Sequence, residues 1–392
     1  MTASLYIHIP FCAKKCDYCD FYSLPAGTGS GRLFDLFTEK LLEDIGGQLR
    51  AFHVTEPASV YIGGGTPSLL GPQRMKTLLG FLSTAGGRHP PGEFTVEVNP
   101  ESLDENFLRV CREGGVTRIS CGVQTFDEWA RRAIGRQGNV RRLGAALALL
   151  NEAYGGSFSA DLISGLPAQD ESVLLRDIET LLRYGPSHVS LYDLTVEEKT
   201  PLYRNASLSK LALPPAEQAA RLWIAGRDFL EAAGYRQYEV SNFAPDGKRS
   251  AHNIVYWRMG TWLGAGPSAS GTIVRGGGAT LSGLRRTVKT DVRRYISVPG
   301  TETVTEHLDR NTLIRESFLM GFRYAEGPDA ALFRQRFGCA LESLVPETLA
   351  RWRARGKMRN GLCALNREGL LMLNRFLTEC FTEMDRSLLP RE

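Results

Sequence analysis

The chain has 392 residues, room for two domains with separate cores or for one barrel with an appendage. Hydrophobic residues make up 43% and charged residues 23%, the balance of a globular protein, and 47 basic against 43 acidic side chains leave a net charge of +4. So even a balance argues against a nucleic-acid partner, and with no run of eighteen apolar residues no transmembrane helix is expected.

The opening segment, SLYIHIPF from Ser4, lacks the basic start, apolar middle and cleavage site of a secretory signal and reads as a strand. A cytoplasmic location is therefore expected. In that compartment eight cysteines mean thiols, metal ligands or catalysis rather than disulfides. Three of them, Cys12, Cys16 and Cys19, form a C-x3-C-x2-C run directly after the strand. Cys111, Cys121, Cys339, Cys363 and Cys380 lie in apolar contexts and read as buried structural thiols. An amphipathic stretch from Leu33 (LFDLFTEKLLEDI) then alternates with further β-rich runs: SVYIG from Ser59, FTVEV from Phe94, TRISCGV from Thr117, FSADLI from Phe158 and HVSLYDL from His188. The helical stretches between them include PQRMKTLLGFL from Pro72 and ESVLLRDIETLLRY from Glu171.

Repeated βα units predict an α/β fold with a parallel sheet. Six units give a partial, open (β/α)6 barrel over residues 1–200. A connecting segment over 201–304 opens with a proline-capped helix, LPPAEQAARLWIAGRDFLEAAG, and carries glycine-rich turns. Residues 305–392 read as a smaller, mainly helical C-terminal domain. Its densest basic stretch, Arg351 to Arg359, reads mainly as a solvated helix face; a partner or a peripheral membrane role is the lesser alternative.

In α/β barrels chemistry sits at the carboxyl ends of the strands, and five of these ends carry polar or glycine groups. The first leads into the cysteines. The second brings Gly63, Gly64, Gly65 and Thr66, where glycine permits unusual φ and close backbone approach. The third brings Glu97 and the fourth Gln124, while Asp161 lies within the fifth. Arg136, twelve residues past Gln124, offers a fork suited to a carboxylate. Three thiolates can hold three irons of a four-iron cluster and leave the fourth open; a zinc loop is the competing use of such a run.

The cysteine run after a first strand resembles that of the radical S-adenosylmethionine (SAM) enzymes. The resemblance implies a [4Fe-4S] cluster on Cys12, Cys16 and Cys19, with SAM chelating the open iron and yielding a 5′-deoxyadenosyl radical on reduction. Over nearly the whole chain, LYIHIPFC, GGGTP, E-x-N-P, GVQ-x-F and DLI-x-GLP are similar to the branch that contains oxygen-independent coproporphyrinogen III dehydrogenase. Two SAM molecules bind side by side there. Carried over by motif, Tyr6, Tyr18, Gly64 and Glu97 would line the cluster-bound SAM. Gly65, Thr66, Gln124, Arg136 and Asp161 would line the second, with Thr195 after the sixth strand as a further member.

Two departures separate the chain from that dehydrogenase. Phe21 stands where the dehydrogenase has a fourth cysteine, and only eleven residues precede Cys12, where the dehydrogenase has an extension. What the chain carries instead is YEVSNFA from Tyr238 and HNIVYW from His252, similar to the HemW-type haem chaperones. SLYDLTVEEKTPLY and LMGFRYAEG look like that branch too, although GAGPSASG lacks the histidine its relatives often carry near Ala269 and Ser270. This second resemblance implies a protein that binds haem as cargo and hands it to client haem proteins, membrane-bound respiratory enzymes among them, as a monomer or a dimer. In HNIVYW, His252 would be an axial haem ligand, Asn253 would orient its second nitrogen, and Tyr256 and Trp257 would offer flat apolar faces; a packed structural loop is the competing reading. His8, within the first strand, is the rival contact, better suited to packing or an internal hydrogen bond. The alternative is an enzyme: oxidative decarboxylation of two coproporphyrinogen III propionates to vinyl groups.

Overall fold

The structure is a computed structural model and describes residues 2–26, 30–85 and 92–388. Six parallel strands lie side by side in chain order: β1 (Ser4–Ile9), β2 (Ser59–Gly64), β3 (Glu93–Val98), β4 (Arg118–Gln124), β5 (Phe158–Ser164) and β6 (His188–Asp193). Helices α1 (Gly31–Ala51), α2 (Gly71–Ala85), α3 (Glu105–Glu113), α4 (Glu128–Ala133), α5 (Val140–Tyr154) and α6 (Glu171–Leu182) connect them. Short polar residues start these helices. Asp104, Asp127, Asn139 and Asp170 each accept a hydrogen bond from the backbone N–H three residues on, a cap worth ~1 kcal/mol. After α5 the chain turns at Gly155, whose φ of 55° is left-handed.

The strands alternate strictly. Leu5, Ile7 and Ile9, like Val60, Ile62, Val96, Ile119, Cys121, Ala160 and Leu162, are buried in the layer shared with the helices. There Phe11 packs between Phe34 and Phe37, with ring centres 4.8 and 4.9 Å away. The opposite faces are polar: Ser4, Tyr6 and His8 on β1, Ser59 and Tyr61 on β2, Glu93, Thr95 and Glu97 on β3, Ser120 on β4, Asp161 on β5 and Ser190 on β6. The register sets Tyr6 beside Tyr61, Gly122 beside Asp161, and Asp161 beside Ser190. The hollow face of the sheet is thus a polar lumen, and its half-exposed Tyr6, Tyr61, Glu97 and Asp161 keep contact with solvent.

Residues 201–304 do more than connect. After α7 (Pro201–Ser207) and α8 (Ala216–Ala232), β7 (Arg236–Gln237) and β8 (Asn242–Ala244) add antiparallel strands beyond β6. Helix α9 (Ala251–Trp257) follows. Then β9 (Trp262–Ala265) pairs parallel with β1, and β10 (Ser270–Arg275), β11 (Ser282–Val288) and, after α10 (Val292–Ser297), β12 (Thr303–Leu308) extend that edge. The result is one twelve-stranded open sheet, the (β/α)6 array at its centre. Several of the added strands are short and lie among glycines, which hides them from a pattern of alternation.

Helices α11 (Arg310–Gly321), α12 (Ala330–Phe337), α13 (Pro346–Ala354), α14 (Arg367–Leu370) and α15 (Leu373–Leu388) build a second core around Phe318, Phe322, Trp352 and Phe376. Met259, just past α9, is buried in this second core, so the chain after α9 ties the two cores together. Cys111, Cys121 and Cys380 are buried as expected, while Cys339 and Cys363 are only half-buried. In the basic stretch, Arg351 and Arg355 pair with Glu379. No helix among the described residues is long and apolar enough to cross a membrane.

Candidate cofactor site at the barrel mouth

The loop after β1 holds Cys12, Cys16 and Cys19 as free, half-buried thiols at the carboxyl ends of the strands. Backbone bonds pin it from both sides: Asp17 N–H donates to Ile134 O at 2.9 Å, and Leu202 N–H donates to Asp17 O at 2.8 Å. Burial pushes the Cys19 thiol above its ordinary value. Among the described residues no three His, Cys, Asp or Glu side chains are grouped to hold a single metal ion. A multi-iron cluster takes one thiolate per iron, so its ligands stand farther apart than those of one zinc ion.

The glycines beside this loop are fixed by contact. A Cβ on Gly63 would meet the Glu97 carboxylate at 2.7 Å, one on Gly64 (φ 107°) the His8 ring at 2.4 Å, and one on Gly65 the Phe11 carbonyl at 2.5 Å. Glu97 accepts from Tyr61 Oη at 2.7 Å and Gly64 N at 3.0 Å, and burial still pushes its carboxyl up. His8 Nε2 faces Tyr22 O at 2.9 Å, so it carries the proton, and Nδ1 accepts from Tyr6 Oη at 2.9 Å. Both nitrogens of His8 are used internally, the role its place in the strand suggests.

Gln124 has a φ of 70°, a left-handed conformation rare outside glycine, at the very end of β4. Its amide reaches back over Gly122, where a Cβ would lie 2.8 Å from Gln124 Nε2 and 3.1 Å from Arg136 Nη2. Asp161 lies two strands from Glu97 on the same face of the sheet; burial, then Glu97 itself, push its carboxyl up to about 7 against hydrogen bonds from Ser190 and Ser120. Arg136 is buried, donates to Asn99 Oδ1 at 2.8 Å and to Cys16 Sγ at 3.7 Å, and leaves its Nε buried without a protein partner. Thr66 donates to Cys12 Sγ at 3.6 Å. Tyr18 packs on Ala130 and Ile134 beside the loop, and Thr195 is exposed after β6. The structure thus brings Tyr6, Tyr18, Gly64, Gly65, Thr66, Glu97, Gln124, Arg136 and Asp161 to one mouth.

At the opposite end of the lumen, α9 forms the floor. The Glu93 carboxylate accepts from Ser250 Oγ and from the backbone N–H groups of Ala251 and His252, all within 3.0 Å, and pairs with Arg118 at 3.2 Å. His252 is 0% exposed; its Nδ1 is 2.8 Å from Ser59 Oγ and its Nε2 2.8 Å from Tyr256 Oη. Burial lowers its pKa to about 3, so the ring is neutral. In this structure both nitrogens of His252 are engaged and no ring atom meets solvent, so neither nitrogen is open to an axial bond as it stands. Asn253 does not orient the ring either, since Ser59 and Tyr256 do. Tyr256 stands edge-on to His252 and Trp262, and Trp257 packs against Tyr238 and Tyr324 with its Nε1 buried and unpaired.

Residues 6–190 match the Radical SAM superfamily. Proteins named "Heme chaperone HemW" are 32% identical in Bacillus subtilis, over 95% of this chain and 97% of that protein, and 33% identical in Lactococcus lactis, over 88% of each. This chain is a HemW-type member of the radical SAM superfamily. The mitochondrial "Radical S-adenosyl methionine domain-containing protein 1" of Bos taurus is 37% identical over 74% of this chain, which spans 65% of that longer protein. The structure of Escherichia coli coproporphyrinogen III oxidase (HemN) superposes with a TM-score of 0.78 at 20% identity, covering 96% of this chain and 89% of that one, and shares its fold.

Membership implies SAM and an iron–sulfur cluster, and the mouth fits both. It has three thiols, a glycine cradle that a Cβ would fill, the Glu97 carboxylate beside the Gly64 N–H, and the orphaned Nε–H of Arg136. Sequence reasoning passed over Asn99, Tyr61 and Glu93. Asn99 and Glu93 flank Glu97 on the same strand and loop, and period-two alternation from Glu97 leads to both Thr95 and Glu93, which was the available signal.

Proposed function

We propose that this protein is a haem chaperone: it holds a SAM-coordinated [4Fe-4S] cluster on Cys12, Cys16 and Cys19, binds haem, and delivers it to client haem proteins. The observation that carries this reading is likeness along nearly the full length of HemW-named relatives, at 32% identity over 97% of the Bacillus subtilis protein. When bound, the cluster and SAM supply one-electron chemistry. The chain's part is to hold them: Glu97 faces the lumen beside the Gly64 N–H, and Arg136 keeps one donor unspent. Phe21, 69% exposed in the cysteine loop, stands where the dehydrogenase pattern has its fourth cysteine and supports the chaperone over the decarboxylating enzyme.

The test is a haem titration of anaerobically reconstituted protein, followed by absorbance, then mixing with an apo-haem protein to follow transfer. The same preparation is assayed for protoporphyrinogen formation from coproporphyrinogen III with SAM and reductant. Stoichiometric haem binding and transfer without decarboxylation is the expected result. Decarboxylation without specific haem binding would replace this reading with the enzyme. Within the titration, Trp257→Ala reports on a haem face at α9, since it alters a half-exposed side chain.

A further inference from the structure

The loop cysteines are tied to the strand ends by a closed arc of side chains. Arg136 Nη1 donates to Cys16 Sγ at 3.7 Å, and its Nη2 donates to Asn99 Oδ1 at 2.8 Å. Asn99 Nδ2 donates to Thr66 Oγ1 at 2.7 Å, and Thr66 Oγ1 donates to Cys12 Sγ at 3.6 Å. We infer that Asn99 is a positioning residue that joins Thr66 and Arg136 into one arc, and that this arc sets the reduction potential of a cluster held by Cys12 and Cys16.

The direction of every bond in the arc is forced. A guanidinium has only N–H groups, so Asn99 must turn its carbonyl oxygen toward Arg136. Its amide nitrogen then faces Thr66 and donates. The Thr66 oxygen, already accepting, is left with its own hydrogen, and that hydrogen points at Cys12. All donors run outward from the buried cation, so each bond polarises the next. Asn99 therefore extends the influence of one positive charge, in contact with Cys16, to a second sulfur that Arg136 does not touch.

The site is built to keep that charge. Arg136 and Thr66 are 9% and 2% exposed, so water competes little for their bonds. Glu101 stands 3.9 Å from Arg136 and 3.1 Å from Arg131, whose two Nη groups also donate to Val123 O, Thr125 O and Gln137 O. The arc is thus braced by a second buried arginine. Hydrogen bonds to cluster sulfurs and nearby positive charge favour the more negative, reduced state, and so raise the potential. The inference rests on family membership and the cluster, not on haem delivery, and it stands if haem transfer fails.

The test is a potentiometric titration of the reconstituted cluster, read by electron paramagnetic resonance, with iron content measured beside it and no haem or SAM added. Thr66→Val is nearly isosteric and removes only the hydroxyl; it lowers the midpoint potential, and Thr66→Ser restores the parent value. Asn99→Leu, which touches no sulfur, lowers the potential as well, and the double variant with Thr66→Val falls by less than the sum. If Thr66→Val loses its iron while Thr66→Ser keeps it, the bond to Cys12 is also supported. Parent potentials in Thr66→Val and Asn99→Leu at full iron content, or equal iron loss in Val and Ser variants, would overturn the inference.

Discussion

The two ends of the barrel lumen are made from the same strands and are finished differently. At the mouth, polar groups are half-exposed and some are left incomplete: Arg136 has an unpaired Nε, Asp161 keeps a carboxyl raised by burial, and three thiols stand free. At the floor, the Glu93 carboxylate has three hydrogen-bond donors and an arginine, and both nitrogens of His252 are bonded. An unsatisfied buried group costs stability, and Arg136 Nε is one that a ligand at the mouth would complete; at the floor Trp257 Nε1 is left unpaired as well. The mouth keeps free thiols and a spare donor, while the Glu93 and His252 network of the floor ties the sheet to α9. Motif spacing treats both as sites; only geometry separates them.

The largest effect expected from this contrast is all-or-none. Cys16→Ser removes one thiolate of three, and reconstituted protein should hold little or no cluster, read as iron per chain, while its thermal unfolding stays close to the parent's. The mouth thiols are half-buried and carry little of the packing. An unfolded Cys16→Ser protein would show that the mouth, too, is structural.

Next comes the floor. Glu93→Ala takes the carboxylate away from Arg118 and from three donors at the start of α9, and breaking a buried pair of this kind costs about 3–5 kcal/mol. Urea unfolding of apo-protein should show that loss, with iron content unchanged in whatever remains folded. His252→Ala should follow it at about 2–4 kcal/mol, from the volume lost and the stranded Tyr256 hydroxyl. A His252→Ala protein of parental stability that has lost haem affinity would reverse our reading of the floor and return the ligand role to this residue.

Much of this was legible in the residues. The six parallel strands showed as alternating runs, because their outward faces are aliphatic and their lumen faces polar, as in LYIHI and FTVEV. The cysteine loop and the glycines were legible because their chemistry admits few substitutes. Strands such as Arg236–Gln237 and Asn242–Ala244 were not, since two or three residues cannot display a period. The fate of His252 was not legible either. Its partners are a serine 193 residues away on β2 and a tyrosine one helical turn on, and only the second is visible in the sequence. Asn99 was hidden for the same reason: its two partners lie 33 and 37 residues away.

A smaller effect tests whether incompleteness extends below the mouth. Glu239, in YEVSNFA, is 2% exposed and accepts from Ser241 N at 3.0 Å, yet burial pushes its carboxyl up to about 7. The folded state therefore binds its proton more tightly than the unfolded state does. Stability is highest below the ordinary value of 4.5 and falls as pH rises from there to about 7. Glu239→Gln removes this term, so unfolding measured at pH 5 and pH 8 should differ less in the variant, by about 1–3 kcal/mol. An identical pH dependence in both proteins would mean that Glu239 is solvated or paired when the protein is folded.

The smallest effect is expected at Phe21, and it bears on function more than on stability. The ring is 69% exposed, so little apolar area returns to water when it is removed, and Phe21→Ala should change unfolding by less than about 0.5 kcal/mol. Lys15 Nζ donates to the Phe21 carbonyl at 2.9 Å, a backbone contact that alanine keeps, so the loop and its iron content should be unchanged. An exposed aromatic ring on the loop that carries the cluster thiols is then free to serve a contact outside the chain. If Phe21→Ala leaves iron and stability intact but slows haem transfer, the mouth is where cargo or client is met. If transfer is untouched, Phe21 marks only the absence of a fourth thiol, and the contact must be sought at the half-exposed Tyr256 and Trp257 of α9.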